Sequence, residues 1–196
     1  MTLTRTLKGG QWNGFSLPFS LSAQQLTSSP LRGASIKQFA AANDNVITLT
    51  DATEIVAGEP YFIKPEADIS NPVFTAVTVT NPEEAVKGDG DYRVAAHLYN
   101  TELATDGSVA YVSTIDSHIK KLTSGGIKGL RSYFQIPTGN EVKPLVLKFD
   151  DTTDIVEVTT DGLQTKNAAI YNLAGQRLQQ LQRGVNIVNG NKIVIK

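Results

Sequence analysis

Apolar and polar residues trade places at every second position along most of this chain, and no other feature limits its possible folds so strongly. In "VITLT", Ile47 and Leu49 fall on one side and Val46, Thr48 and Thr50 on the other. In "LRSYFQI", Leu130, Ser132, Phe134 and Ile136 oppose Arg131, Tyr133 and Gln135. A period of two is the period of a β-strand. Similar runs occur at 2–8, 61–64, 73–80, 92–99, 109–113 and 145–149, broken by Gly, Pro, Asn and Asp. Many short strands with frequent turn signals predict an all-β protein, a β-sandwich of Ig-like or jelly-roll-like type, over a parallel α/β sheet.

Helical signals are few. "SLSAQQLTSS" predicts one short helix, with Ser20 or Ser22 as N-cap and Leu21 and Leu26 turned inward. The stretch 172–184 carries Leu173, Leu178 and Leu181, but Gly175 within it costs about 1 kcal/mol relative to Ala in a helix. A turn at Ala174-Gly175 followed by an extended segment is the preferred reading. Asn189-Gly190, between "GVNIV" and "NKIVIK", is a two-residue hairpin signal, because a type I′ turn needs positive φ at both central positions. Val185 and Ile187 are expected to form one inward set, and Ile193 and Ile195 another. The acidic, Thr-rich stretch after Phe149 divides a sandwich over 1–150 from a small C-terminal β element over 151–196. A strand near 154–158 fits either side.

Charge narrows the partners. The formal net charge is −1, and the longest basic run is Lys120-Lys121, so no field draws in nucleic acid. No stretch reaches the ~20 apolar residues of a membrane-spanning helix. The absence of cysteine removes disulfides, thiolate metal sites and a Cys nucleophile together. Met1 is the only methionine and strand-like alternation starts at Thr2, so the N-terminus reads as a cut from a longer polypeptide. Upstream domains are then expected partners, with any signal peptide removed.

The ending "IYNLAGQRLQQLQRGVNIVNGNKIVIK" resembles the C-terminal segments of secreted and cell-surface proteins from Bacteroidetes. Their usual form is a strand, Y-(N/D)-x-x-G-(Q/R), a spacer, a second strand opening on Gly, a turn and a basic strand ending in Lys. Tyr171, Gly175, Gln176, Arg177, Gly184, Val188 and Lys196 fit it. Asn186 stands where an aromatic is usual, and the Pro-Asn-Pro opening is missing. Longer versions belong to Ig-like domains that sort proteins to type IX secretion, so the resemblance implies a secreted or cell-surface location. Three further segments are similar to β-rich regions of large surface proteins from that group. They are "LTRTLKGGQWNGFSLPF" (3–19), "AGEPYFIKP" (57–65) and "GLRSYFQIP" (129–137). The resemblance carries over no catalytic residues.

Signals for chemistry are sparse. There is no G-x-S-x-G, and the two histidines are His97, in a strand-like run, and His118, beside Asp116 and Ser117. Adjacent residues point in different directions and rarely make a triad, so a structural role is the expected reading for Asp116, Ser117 and His118. Glu54, Glu59, Glu83, Glu84, Glu141 and Glu157 are scattered, and read as solvated surface before they read as a glycosidase pair. Asp89 with Asp91, and Asp150 with Asp151 and Asp154, are turn residues before they are calcium ligands. Trp12, Phe15, Phe19, Tyr61, Phe62, Tyr133 and Phe134 are material for a sugar-stacking platform, yet Trp12 is expected to pack. Tyr61 and Tyr133 are left as the candidate ligand-facing residues. The expected function is a non-catalytic structural or adhesive module, with no metal and no cofactor. A carbohydrate-binding accessory module is the alternative, and surface glycan or protein the expected ligand.

Overall fold

The computed structural model describes residues 1–88, 90–139 and 142–149, and the strand segments 155–156, 170–172, 176–178, 184–188 and 191–195. The strands in chain order are β1 (Thr6–Leu7), β2 (Asn13–Phe15), β3 (Ser35–Asn43), β4 (Val46–Asp51), β5 (Tyr61–Lys64) and β6 (Ile69–Ser70). They continue with β7 (Val86–Lys87), β8 (Arg93–His97), β9 (Val109–Val112), β10 (Ile119–Lys121), β11 (Arg131–Gln135) and β12 (Val146–Phe149). The last five are β13 (Ile155–Val156), β14 (Ile170–Asn172), β15 (Arg177–Leu178), β16 (Gly184–Val188) and β17 (Asn191–Ile195). One short helix, α1 (Ala23–Ser28), interrupts them. The chain is all-β, as its alternation predicts.

Two sheets make the sandwich. One has the order β13-β12-β4-β3-β5-β2, the other β10-β9-β11-β8-β7, and neither closes into a barrel. Ile47, Leu49, Phe62 and Leu147 from the first meet Val94, Ala110, Val112, Ile119 and Phe134 from the second. The Phe62 and Phe134 rings stack at 5.1 Å between centroids and 10° between planes. Burying each such ring stabilises by about 1.5–3 kcal/mol.

Each sheet is also covered on its outer face. Tyr61 and Ile63 alternate with Phe62 and enter a second cluster with Leu7, Phe15, Leu17, Phe19, Ile36 and Phe74. Helix α1 lies over this side, with Leu21 buried and Leu26 packed against the cluster. Ser22 caps it in a reciprocal box with Gln25, resolving the choice between the two serines. On the far side of the other sheet, Ala95, Val109, Leu122, Ile127 and Tyr133 form a third cluster.

Two predicted runs behave differently, and one strand has no counterpart among the predicted runs. Residues 73–80 enter no ladder; Val73 makes a single bridge to Thr2, and Val73 and Val79 stay exposed. Ala76 takes φ +52°, which breaks an extended run, and the segment instead drops Phe74 onto Phe19. The run at 2–8 pairs with β6 only at Thr6 and Leu7, because the Arg5 N–H bonds back to Leu3 O at 2.8 Å. β3, the longest strand, carried no strand signal: its "QFAAAN" end is rich in Ala, which strands disfavour. Hydrogen bonding to β4 on one side and β5 on the other overrides that preference, with a register shift between Phe39 and Ala41.

β13 pairs antiparallel with β12, so the segment at the expected boundary extends the sandwich sheet. The C-terminal strands form their own sheet, β15-β14-β16-β17. The predicted hairpin is there: Val188 pairs with Asn191, leaving a two-residue link. Asn189 and Gly190 themselves lie outside the described residues, as do Asp89, Asp150, Asp151, Asp154, Glu141 and Glu157. Val185 pairs with Val194 and Asn186 with Ile193, so the two expected inward pairs are out of phase across the ladder.

Candidate functional site

Three segments that are far apart in the chain converge where the two sheets meet. β2 pairs with β5, placing Gly14 opposite Phe62. Ser132 on β11 crosses to them: its hydroxyl donates to Tyr61 O at 2.6 Å and accepts from the Phe15 N–H at 3.2 Å. Gly14 permits this approach, since a Cβ there would stand 2.5 Å from Ser132 O. Asn13, fully buried, ties the preceding turn by donating to Lys8 O, Gln11 O and Ile63 O while accepting from the Lys8 N–H. Asn13 is therefore structural.

Arg5 sits at this junction, between the buried Leu3 and Leu7. One of its terminal nitrogens donates to Gly14 O at 3.1 Å and to Leu130 O at 3.0 Å, while its Nε is buried without a partner. Leu130 presents that carbonyl from a left-handed backbone, φ +59°, a conformation that costs a non-glycine residue about 1–2 kcal/mol. Gly129 beside it lies against the backbone of Leu98, where a Cβ would come within 2.5 Å of Leu98 O. Backbone strain of this kind collects at functional sites.

Arg131 lies next to Arg5, and its guanidinium donates to Gly129 O at 3.2 Å. Burial, with a smaller contribution from the Arg131 charge, pushes Arg5 down to about 9. Burial lowers Arg131 as well. Both remain cations at neutral pH. Among the described residues no carboxylate pairs with Arg5, Arg131 or Lys128. These three side chains line two adjoining clefts of about 430 and 500 Å³, and neither cleft has an acidic residue in its wall. Tyr111, Thr114 and the Ser124-Gly125-Gly126 loop complete the first.

The residues singled out from sequence lie elsewhere. Tyr61 is 2% exposed in the second cluster, and its hydroxyl accepts from the Val56 N–H at 2.9 Å. Burial pushes that hydroxyl upward, so it stays neutral. Tyr133 is 8% exposed, packs edge-on to His97, and adds its rim to an open cleft of about 470 Å³ with Glu102 and Gln135. Trp12 is half-buried, stacked on Phe149 at 4.9 Å with Lys64 Nζ 5.6 Å from its centroid.

His97 is fully buried, with Nε2 3.0 Å from Ile127 O and Nδ1 3.9 Å from Glu84. Glu84 in turn accepts from the Leu98 and Tyr99 N–H groups. Asp116 accepts from the His118 N–H and contacts Lys120, whereas the Ser117 hydroxyl turns away to accept from the Trp12 N–H and donate to Gln11. Asp116 and Ser117 thus face different partners. Among the described residues no group of three His, Asp or Glu side chains is placed to hold a metal, and no helix is long and apolar enough to cross a membrane.

The fold and this junction define an all-β sandwich with an unneutralised cationic cleft at the meeting of its sheets. No protein-family model matches the chain, and no curated protein or solved structure matches it either.

Proposed function

We propose that this chain is a non-catalytic adhesive or structural module of a bacterial secreted or cell-surface protein. The observation that carries this reading is the sequence pattern of residues 170–196, which resembles surface-protein endings from Bacteroidetes. The strands β14 to β17 supply a self-paired sheet for that pattern. Support also comes from the sandwich itself, a rigid body whose loops are free for contact. Fractionation of the full-length native protein tests the reading: it is expected in the medium or at the cell surface, and retention in the cytosol overturns it.

A carbohydrate-binding accessory module is the second reading. It is favoured by the open cleft whose walls combine Tyr111 with hydroxyl and guanidinium groups, the mixture that orients a polar ring ligand. Retention of the protein on polysaccharide tests it.

A further inference from the structure

A cation taken out of water without a counter-ion is costly, and a fold retains one only where something offsets it. Arg5 is half-buried with its Nε fully covered, and that partial loss of water is offset by two carbonyl oxygens, which supply dipoles and no negative charge. Its buried Nε has no partner, and the second guanidinium, Arg131, adds repulsion. Lys128, exposed, adds a third positive charge at the mouth of the same clefts. This concentration stands within a chain of net charge −1, so it is a local feature and no part of a general basic surface. The Gly125-Gly126 backbone beside it has no side chain to block approach, and Gly125 is held at φ +70°.

We infer that the cleft between Arg5, Arg131 and Lys128 binds the oxoanion of an acidic saccharide, a carboxylate or sulfate carried on a sugar ring. The proposal rests on the carbohydrate-binding reading and adds the charge of the ligand to it. Arg131 and Lys128 contact the anion, and Arg5 supplies fixed positive potential behind them. Guanidinium groups suit this role because they form charge-assisted, often paired, hydrogen bonds to planar or tetrahedral oxoanions. A cleft of about 430 Å³ with Tyr111 and Thr114 in its wall takes a sugar ring better than a polymer backbone.

Calorimetric titration of the full chain tests this, using an oligogalacturonate, a sulfated oligosaccharide, a neutral oligosaccharide of equal length, sodium sulfate and an aspartate-containing peptide. The expected result is binding of one or both acidic saccharides, at least tenfold weaker in Arg131→Gln and in Lys128→Gln. Lys128 is exposed, so the second variant keeps the fold; thermal melts check the first. Amide shifts at Gly125 and Gly126 on adding the acidic saccharide place the ligand. Binding of the neutral oligosaccharide with equal affinity in both variants removes the charge role and leaves the carbohydrate reading standing. Preference for the peptide, binding of sulfate alone, or no binding at all overturns the proposal.

Discussion

Strand β11 runs through two environments that obey opposite rules. At Phe134 it enters the space between the sheets, where it joins an apolar cluster and the ring stacks on Phe62. At Arg131, three residues earlier, it borders a cleft that holds two guanidinium groups without a carboxylate among the described residues. The first environment stabilises the fold by excluding water. The second keeps an electrostatic cost that packing alone would remove. The same junction holds Leu130 in a left-handed backbone, and it is there that we propose the anion binds.

The contrast can be broken from the core side first. Phe134→Ala is expected to lower stability by about 4 kcal/mol, measured by chemical denaturation. Adding Phe62→Ala should cost less than the sum of the single changes, by about 1 kcal/mol, because each single change already loses the stacked pair. Gly14→Ala comes next, at about 3 kcal/mol, since its methyl group must push β2 away from Ser132. At the cleft the scale drops. Arg131→Gln is expected to change stability by less than about 1 kcal/mol while weakening acidic-saccharide binding at least tenfold, and a loss of stability as large as that of Phe134→Ala would erase the distinction between the two regions.

The smallest effect is at Asp116. Burial raises its carboxyl, but the Ser113 hydroxyl, the His118 N–H and Lys120 outweigh this and hold it at about 2 against an ordinary 3.8. A depressed folded value means the stabilisation is fully present above about pH 4 and is lost as pH falls toward 2. Its side chain is 36% exposed, so solvent screening reduces the contribution to about 0.5 kcal/mol. Denaturation of Asp116→Asn at pH 7 and at pH 2 should show that difference and its disappearance.

Much of the architecture was legible in the sequence for simple reasons. Period-two runs at Val46–Asp51, Tyr61–Lys64 and Arg131–Gln135 became strands because their burial alternates or their flanks turn. A serine cap, at Ser20 or Ser22, and the Asn189-Gly190 link were readable because capping and tight turns depend on local residues, and the structure settled the cap on Ser22. β3 was not readable, since its stability comes from neighbours on both edges. Tyr61 and Tyr133 drew notice as aromatics in strand-like runs, yet one is a core ring and the other mostly covered. Arg5 and Arg131 are 126 positions apart and carry no local signal of their own.

The sequence by itself determined the all-β class, the short helix and the C-terminal hairpin, because strand period, capping and turn chemistry act over a few residues. Only the tertiary structure decided which strands pair, that β13 joins the sandwich sheet, and that two arginines share one cleft without a carboxylate between them. Those depend on contacts between distant segments, where desolvation and charge are properties of the assembled fold and of no single stretch of chain.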